Sequence, residues 1–290
     1  MAVIVLRCTA RCVLGVLQFQ SACVCWRTDC LSRWFQNVSG GTAPLSKLCS
    51  PFACIEEHLE NQLLALLPES DKSRWLSLLK YVDLQQGQSL YASGQSLNHV
   101  YFPMGSIVAL HGVSQSGLMS ELALVGREGM VGIVSFLGGG SSTSDAVVLS
   151  SGPAFRMGAQ ALRHEFENST AVMSLMLRYT QALISQMAQT SLCNQYHSVE
   201  QAMSRLLLLS LDCVQSTELN MTQEVMAQIL GVRRERVSQV AVRWQRSKWI
   251  QYARGHIAVP DRSALERVSC ECYKAIKKEY ERLLPSDWVP

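Results

Sequence analysis

The stretch TQEVMAQILGVRRERVSQVAV, residues 222–242, decides how this chain is read. Two short helices crossing at about 90–120° around a tight turn make specific steric demands. The first helix needs a small side chain where the second passes over it, and Ala227 stands there. The turn needs a residue free to take positive φ, and Gly231 follows four positions later. Met226, Leu230, Val232, Val237 and Val240 fall at offsets that fill the angle between the helices. Thr222 is placed to cap the first helix through its hydroxyl. These independent positions agree on a helix-turn-helix.

The outward side of the second helix presents Arg233, Arg234, Glu235, Ser238, Gln239 and Arg243. Arginine pairs with guanine O6 and N7, glutamine with adenine, and glutamate accepts from cytosine N4. A helix entering the major groove needs these residue types at its N-terminal end. Each alone is an ordinary solvated surface charge. As a set behind this turn, joined by Thr222 and Gln223 at the start of the first helix, they imply base and phosphate contact on double-stranded DNA. Between 219 and 262 there are eight basic residues and three acidic ones, although the whole chain carries a net charge of only +3. The positive excess is local, and location matters more than the total.

Downstream, residues 249–259 read as two short strands around Arg254 and Gly255. Such a hairpin forms a wing whose Arg254 reaches a phosphate. Asp261 opens one closing helix carrying Leu265, Val268, Cys272, Ile276, Tyr280 and Leu283 on a face. Cys270 and Cys272 within it are read as structural, because two thiols alone make a poor metal ligand set. No metal site is expected.

Upstream, residues 56–67 and 70–79 read as short amphipathic helices, the first stopped by Pro68. From Tyr81 to Leu149, strand-sized apolar runs alternate with glycines at intervals of roughly 8–12 residues, which suggests an antiparallel barrel or jelly roll. Within it only residues 130–137 look helical. No glycine falls between 159 and 230, and no proline between Pro153 and Pro260. Leu175, Met176, Tyr179, Leu183, Met187 and Leu192 recur near helical spacing in that interval. They predict a long helix that packs on the barrel and, by its length, also serves as a seam between two protomers. A second helix spans residues 197–213.

The fold class expected is α+β. Residues 58–160 form a barrel, 161–195 a long dimerisation helix and 196–290 a winged helix-turn-helix. Residues 1–57 show no clean periodicity and hold seven of the eleven cysteines, Cys8, Cys12, Cys23, Cys25, Cys30, Cys49 and Cys54. They are read as a poorly ordered extension or a start assigned too far upstream, with a thiol-based redox or metal sensor as the alternative. Arg7 and Arg11 interrupt the apolar start before it reaches the roughly 18–20 residues of a membrane span. The expected location is the cytoplasm, at the nucleoid when DNA is bound.

Barrel, long helix and winged helix-turn-helix, in that order, resemble the Crp/Fnr family of bacterial transcription regulators. The resemblance covers about residues 59–284 and is clearest in HVYFP at 99–103, VGREGMVG at 125–132 and residues 222–237. It implies a homodimer on a two-fold symmetric operator, with RNA polymerase as a further partner if the protein activates. It also implies a small-molecule or redox effector acting through the barrel, in a pocket expected to include Glu128, Gly129, Met130, Ser144 and Asp145.

Departures from the family pattern narrow the effector. Members that bind cyclic AMP hold its ribose with a glutamate and its phosphate with an arginine. Met130 stands at the glutamate position, and the arginine position falls near Ser144 and Asp145, where a carboxylate repels phosphate. Cyclic AMP in the usual mode is therefore not expected, and no cofactor is assigned. No cysteine lies between Cys54 and Cys193 to complete an iron–sulfur pattern. Haem stays open, since His99 and His111 are present. Glu235 and Ser238 match the family's base-reading pattern, but Gln239 stands where an arginine is common, which implies a shifted operator.

Two other classes compete with this reading. A cupin-like metal-dependent enzyme needs clustered ligands such as His-x-His with a following glutamate, whereas His99, His111 and Glu121 are scattered. Gly138, Gly139 and Gly140 form a turn and not a phosphate-cradling loop, and no nucleophile–base set is found, so no catalytic residue is assigned. An effector-sensing scaffold that does not bind DNA is the other alternative.

Overall fold

The computed structural model describes residues 61–286 apart from 116, 118 and 215. The expectations for residues 1–57 lie outside the described residues. Among the described residues two short helices come first, α1 (Gln62–Ala65) and α2 (Glu69–Leu76). Asn61 caps α1 by accepting from the Leu64 amide and donates to the carbonyls of Pro103 and Gly129, which seats α1 on the barrel.

Seven strands follow: β1 (Lys80–Leu84), β2 (Ser89–Tyr91), β3 (His99–Pro103), β4 (Ile107–Val113), β5 (Met119–Val125), β6 (Asp145–Ser150) and β7 (Gly152–Gly158). They pair antiparallel in two sheets, ordered β1-β7-β3 and β2-β6-β4-β5. The expected helical segment at 130–137 is a single 3₁₀ turn, Ile133–Ser135.

Strand β4 shows how the outer face of the larger sheet is used. Successive strand side chains point to opposite faces. Val108 and Leu110 join Leu84, Phe102 and Phe155 inside the barrel, while Ile107 and Ala109 join the core of the C-terminal region. Both faces are covered, so this antiparallel strand reads as a continuous apolar run.

Three helices follow: α3 (Ala159–Asn168), α4 (Thr170–Tyr196) and α5 (Val199–Val214). The helical stretch expected at 161–195 thus begins earlier and is interrupted at Ser169. That residue is extended, and its hydroxyl accepts from the Val172 amide to start α4 afresh. Leu175, Met176, Tyr179 and Leu183 of α4 are buried against the barrel, and Tyr179 donates to the Met130 carbonyl. Leu177, Ile184 and Leu192 remain exposed on α4.

The C-terminal region contains β8 (Glu218–Asn220), α6 (Gln223–Ile229), α7 (Arg234–Arg246), β9 (Gln251–Ala253) and β10 (His256–Ala258), with sheet order β8-β10-β9. The single closing helix expected after Asp261 is instead two, α8 (Arg262–Val268) and α9 (Glu271–Leu283). The break has a local cause: Ser269 and Cys270 are both extended, with ψ of 148° and 166°. After the elbow α9 lies along α4, where Tyr280 donates to Gln186 at 2.8 Å and Arg178 to the Leu283 carbonyl at 2.6 Å.

Candidate nucleic-acid interface

Helices α6 and α7 meet as the sequence demands. Gly231 takes φ +63°, and Met226, Leu230, Val237 and Val240 are buried between the helices. The Thr222 hydroxyl accepts from the Val225 amide at 3.2 Å, satisfying a donor that the first turn of α6 leaves unpaired. Trp244, on the buried side of α7, donates from Nε1 to Glu200 of α5 at 2.8 Å and sets the angle at which α7 leaves the domain.

This anchoring leaves Arg233, Arg234, Glu235 and Gln239 exposed together at the N-terminal end of α7. Thr222 is exposed near them. Other expected contacts are engaged within the protein. The Ser238 hydroxyl donates to Gln223 Oε1, and Arg243 pairs with Glu200 at 3.1 Å. Arg236 and Arg246, which belong to the local basic excess but carry no expected contact, are exposed on the same helix.

The wing is a two-residue hairpin. Arg254 has φ +50° and Gly255 φ +85°, the pair of left-handed conformations that joins twisted antiparallel strands. The Tyr252 hydroxyl on β9 accepts from the Gln223 amide at 3.1 Å, so wing and helix-turn-helix are tied as one surface. That surface offers guanidinium groups, an amide and a carboxylate on a rigid scaffold.

Residues 81–169 match the model of the cyclic nucleotide-binding domain, and residues 201–268 match that of the Crp-like helix-turn-helix domain. Together they span more than half of the chain. The chain belongs to the Crp/Fnr family of transcription regulators. Its fold is shared with FixK2 of Bradyrhizobium japonicum, which is 13% identical, with 66% of this chain covering 98% of that one at a TM-score of 0.56. A CRP-family transcriptional regulator of Thermus thermophilus is 20% identical over 65% of this chain and 96% of its own, at a TM-score of 0.53. The c-di-GMP responsive regulator CLP of Xanthomonas campestris is 11% identical over 66% and 99%, at 0.54. No curated protein matches the chain.

This Crp/Fnr regulator is a DNA-binding protein with a cyclic-nucleotide-binding-like sensor domain, and its family regulates transcription and is not enzymatic. No helix among the described residues is long and apolar enough to cross a membrane. In the sensor domain the expected effector residues take separate partners. The Glu128 carboxylate accepts from the Gly126 amide at 2.7 Å and lies 3.8 Å from Cys213 of α5; burial pushes its carboxyl above the usual range. It lines a cavity of about 540 Å³ together with Asp212, Gln186 and Tyr280. A Cβ on Gly129 would overlap the Tyr179 ring at 2.3 Å, and the Met130 side chain is fully buried in the barrel core.

Ser144 and Asp145 stand on the β6 side. The Ser144 hydroxyl bonds that of Ser142 at 2.9 Å, and Asp145 accepts from the Ser93 amide at 2.6 Å with His111 Nε2 at 3.8 Å. Tyr91 is buried beside the two serines, and that burial pushes its phenol up to about 12. His99 belongs to the smaller sheet and His111 to the larger. Burial lowers both imidazoles below their ordinary value.

Proposed function

We propose that this protein is a homodimeric, sequence-specific regulator that lays α7 in the major groove of a palindromic operator and answers to an effector other than a cyclic nucleotide held in the usual way. The observation carrying this reading is the exposed set Arg233, Arg234, Glu235 and Gln239 on a helix anchored from behind by Trp244. Arg233 and Arg234 precede Gln239 by about one and a half turns, so base edges a few pairs apart come within reach. Arg254 on the wing supplies a phosphate contact. Thr222 and Gln223 add phosphate contacts at the start of α6, and Ser238 and Arg243 change partners if they join them.

The exposed Leu177, Ile184 and Leu192 on α4 support dimerisation, since they leave an apolar stripe facing away from the barrel. Against a cyclic nucleotide stand a buried methionine at 130 and the Asp145 carboxylate, which cannot pair with phosphate. One protein of the same fold is described as c-di-GMP responsive, so the fold is not confined to one effector. Binding of RNA polymerase follows only for an activator.

Selection of genomic fragments by the full chain, then titration of the recovered site across a salt series, tests this proposal. The expected result is a palindrome with half-site centres about 34–36 Å apart, bound by two chains with a steep salt slope. Enrichment of no sequence, both with and without cell extract, contradicts it.

A further inference from the structure

Cys193 and His197 sit one helical turn apart at the C-terminal end of α4, and they meet Cys270 and Cys272 at the elbow between α8 and α9. The three Sγ atoms and the imidazole nitrogen all lie within 4.8 Å of one another. Cys193 Sγ is 3.6 Å from Cys270 Sγ, and Cys272 Sγ is 3.5 Å from His197 Nδ1. A tetrahedral zinc ion, with Zn–S about 2.3 Å and Zn–N about 2.0–2.1 Å, requires S···S edges of about 3.8 Å and S···N edges of about 3.6 Å. Two edges of that tetrahedron are already formed. We propose that Cys193, His197, Cys270 and Cys272 bind a structural zinc ion that clamps the joint between α4 and α5 to the elbow between α8 and α9.

A second observation points the same way. His197 Nε2 lies 3.2 Å from the Glu271 carboxylate. Histidines that ligate metals hold their other nitrogen in this manner, which directs the free lone pair of Nδ1 to the ion. Thiols packed only as small hydrophobes have no reason to converge. Here three of the four cysteines in the described residues do so, and they surround a ring nitrogen. Soft thiolates with one imidazole select zinc over hard cations, and four protein ligands leave no open position for catalysis.

The site's position gives the ion a role. His197 ends α4, the helix packed on the sensor barrel, and α5 of the DNA-binding region begins two residues later. Cys193 and Cys270 are 77 residues apart, so one ion closes a long loop and holds α9 along α4. Losing it loosens both the C-terminal helix and the joint through which an effector signal must pass.

The test is metal analysis of the full chain purified without chelator, followed by titration of the reduced, metal-stripped chain with zinc alone and with cobalt alone. The expected result is one zinc per chain, and for cobalt the visible ligand-field and thiolate charge-transfer bands of a tetrahedral site. The ion remains when all seven cysteines between 8 and 54 are changed to serine, and it is lost in Cys193→Ser/Cys272→Ser. Cys272→His keeps a zinc-binding donor and retains the ion with an altered cobalt spectrum, which separates ligand loss from misfolding. No stoichiometric zinc in the reduced wild-type chain overturns the proposal. Retention of zinc by the double serine variant, its loss from the seven-serine chain, or a different ion at full stoichiometry does the same.

Discussion

Arg254 occupies the left-handed region at φ +50°, where a residue with a Cβ is strained by about 1–2 kcal/mol. Replacing it with glycine removes that strain, but it adds backbone freedom to the unfolded chain at an offsetting cost of about 0.5–1 kcal/mol. Arg254→Gly is therefore expected to hold the thermal midpoint or raise it by a few degrees while lowering the slope of log affinity against log salt by about 0.9, the loss of one phosphate contact. Filter-binding titrations over a salt series read this slope directly, and an unchanged slope shows that Arg254 touches no phosphate. Residues of this kind were legible in the sequence because their conformation is set locally: the Thr222 cap, the Gly231 turn and the Arg254–Gly255 wing need only neighbours a few positions away. The pairing of Arg243 with Glu200 was not legible, because the partner lies on another helix. Cys193 and His197 escaped for the same reason. A Cys-x-x-x-His pair on one helix and a Cys-x-Cys pair on another each look incomplete until tertiary packing joins them.

At the scale of elements, α4 carries two apolar faces where a single periodic stripe was read. The inner one, Leu175, Met176, Tyr179 and Leu183, is consumed by the barrel. The outer one, Leu177, Ile184 and Leu192, is exposed and spaced by seven and eight residues, close to a coiled-coil repeat. With the proposed dimer seam on this face, Leu177→Lys/Ile184→Lys is expected to give a monomer by analytical ultracentrifugation where the wild-type chain sediments as a dimer, without changing the far-ultraviolet circular dichroism. A dimer that persists in this variant places the seam elsewhere. The strands and the order of elements were legible because glycines punctuate the barrel and are missing from 159 to 230, where the long helices lie. The division of the closing helix was not, since its apolar spacing continues across Ser269 and Cys270 and nothing local announces an extended pair there.

In the whole molecule, the sensor sheet and the DNA-binding region share a core, and a buried ion pair crosses it. Arg205 of α5 donates to Glu121 of β5 at 2.8 Å and to Thr190 of α4 at 3.3 Å, with both charged side chains fully buried. Removing one member strands the other charge, at about 3–5 kcal/mol. Glu121→Ala is expected to lower the stability measured by urea denaturation by that amount, whereas Glu121→Leu/Arg205→Met recovers most of it, because a packed apolar pair carries no desolvation cost. Equal losses in the two variants contradict this account. Gly126 shows how closely the two regions approach, since a Cβ there would meet Cys213 of α5 at 2.3 Å. None of this inter-domain packing was legible in the sequence, which carried each domain's own periodicity but not their shared face.

The exposed N-terminal end of α7 is the part of the molecule proposed to read base sequence. The most direct test of this role is the affinity of the full chain for its selected operator and for random DNA at one salt concentration, compared with Arg234→Ala and with Arg234→Ala/Glu235→Ala/Gln239→Ala. Arg234→Ala is expected to weaken operator binding by about 1–3 kcal/mol and to relax one operator position, and the triple variant is expected to bind operator and random DNA almost equally. A triple variant that still prefers its operator as strongly as the wild-type chain contradicts it.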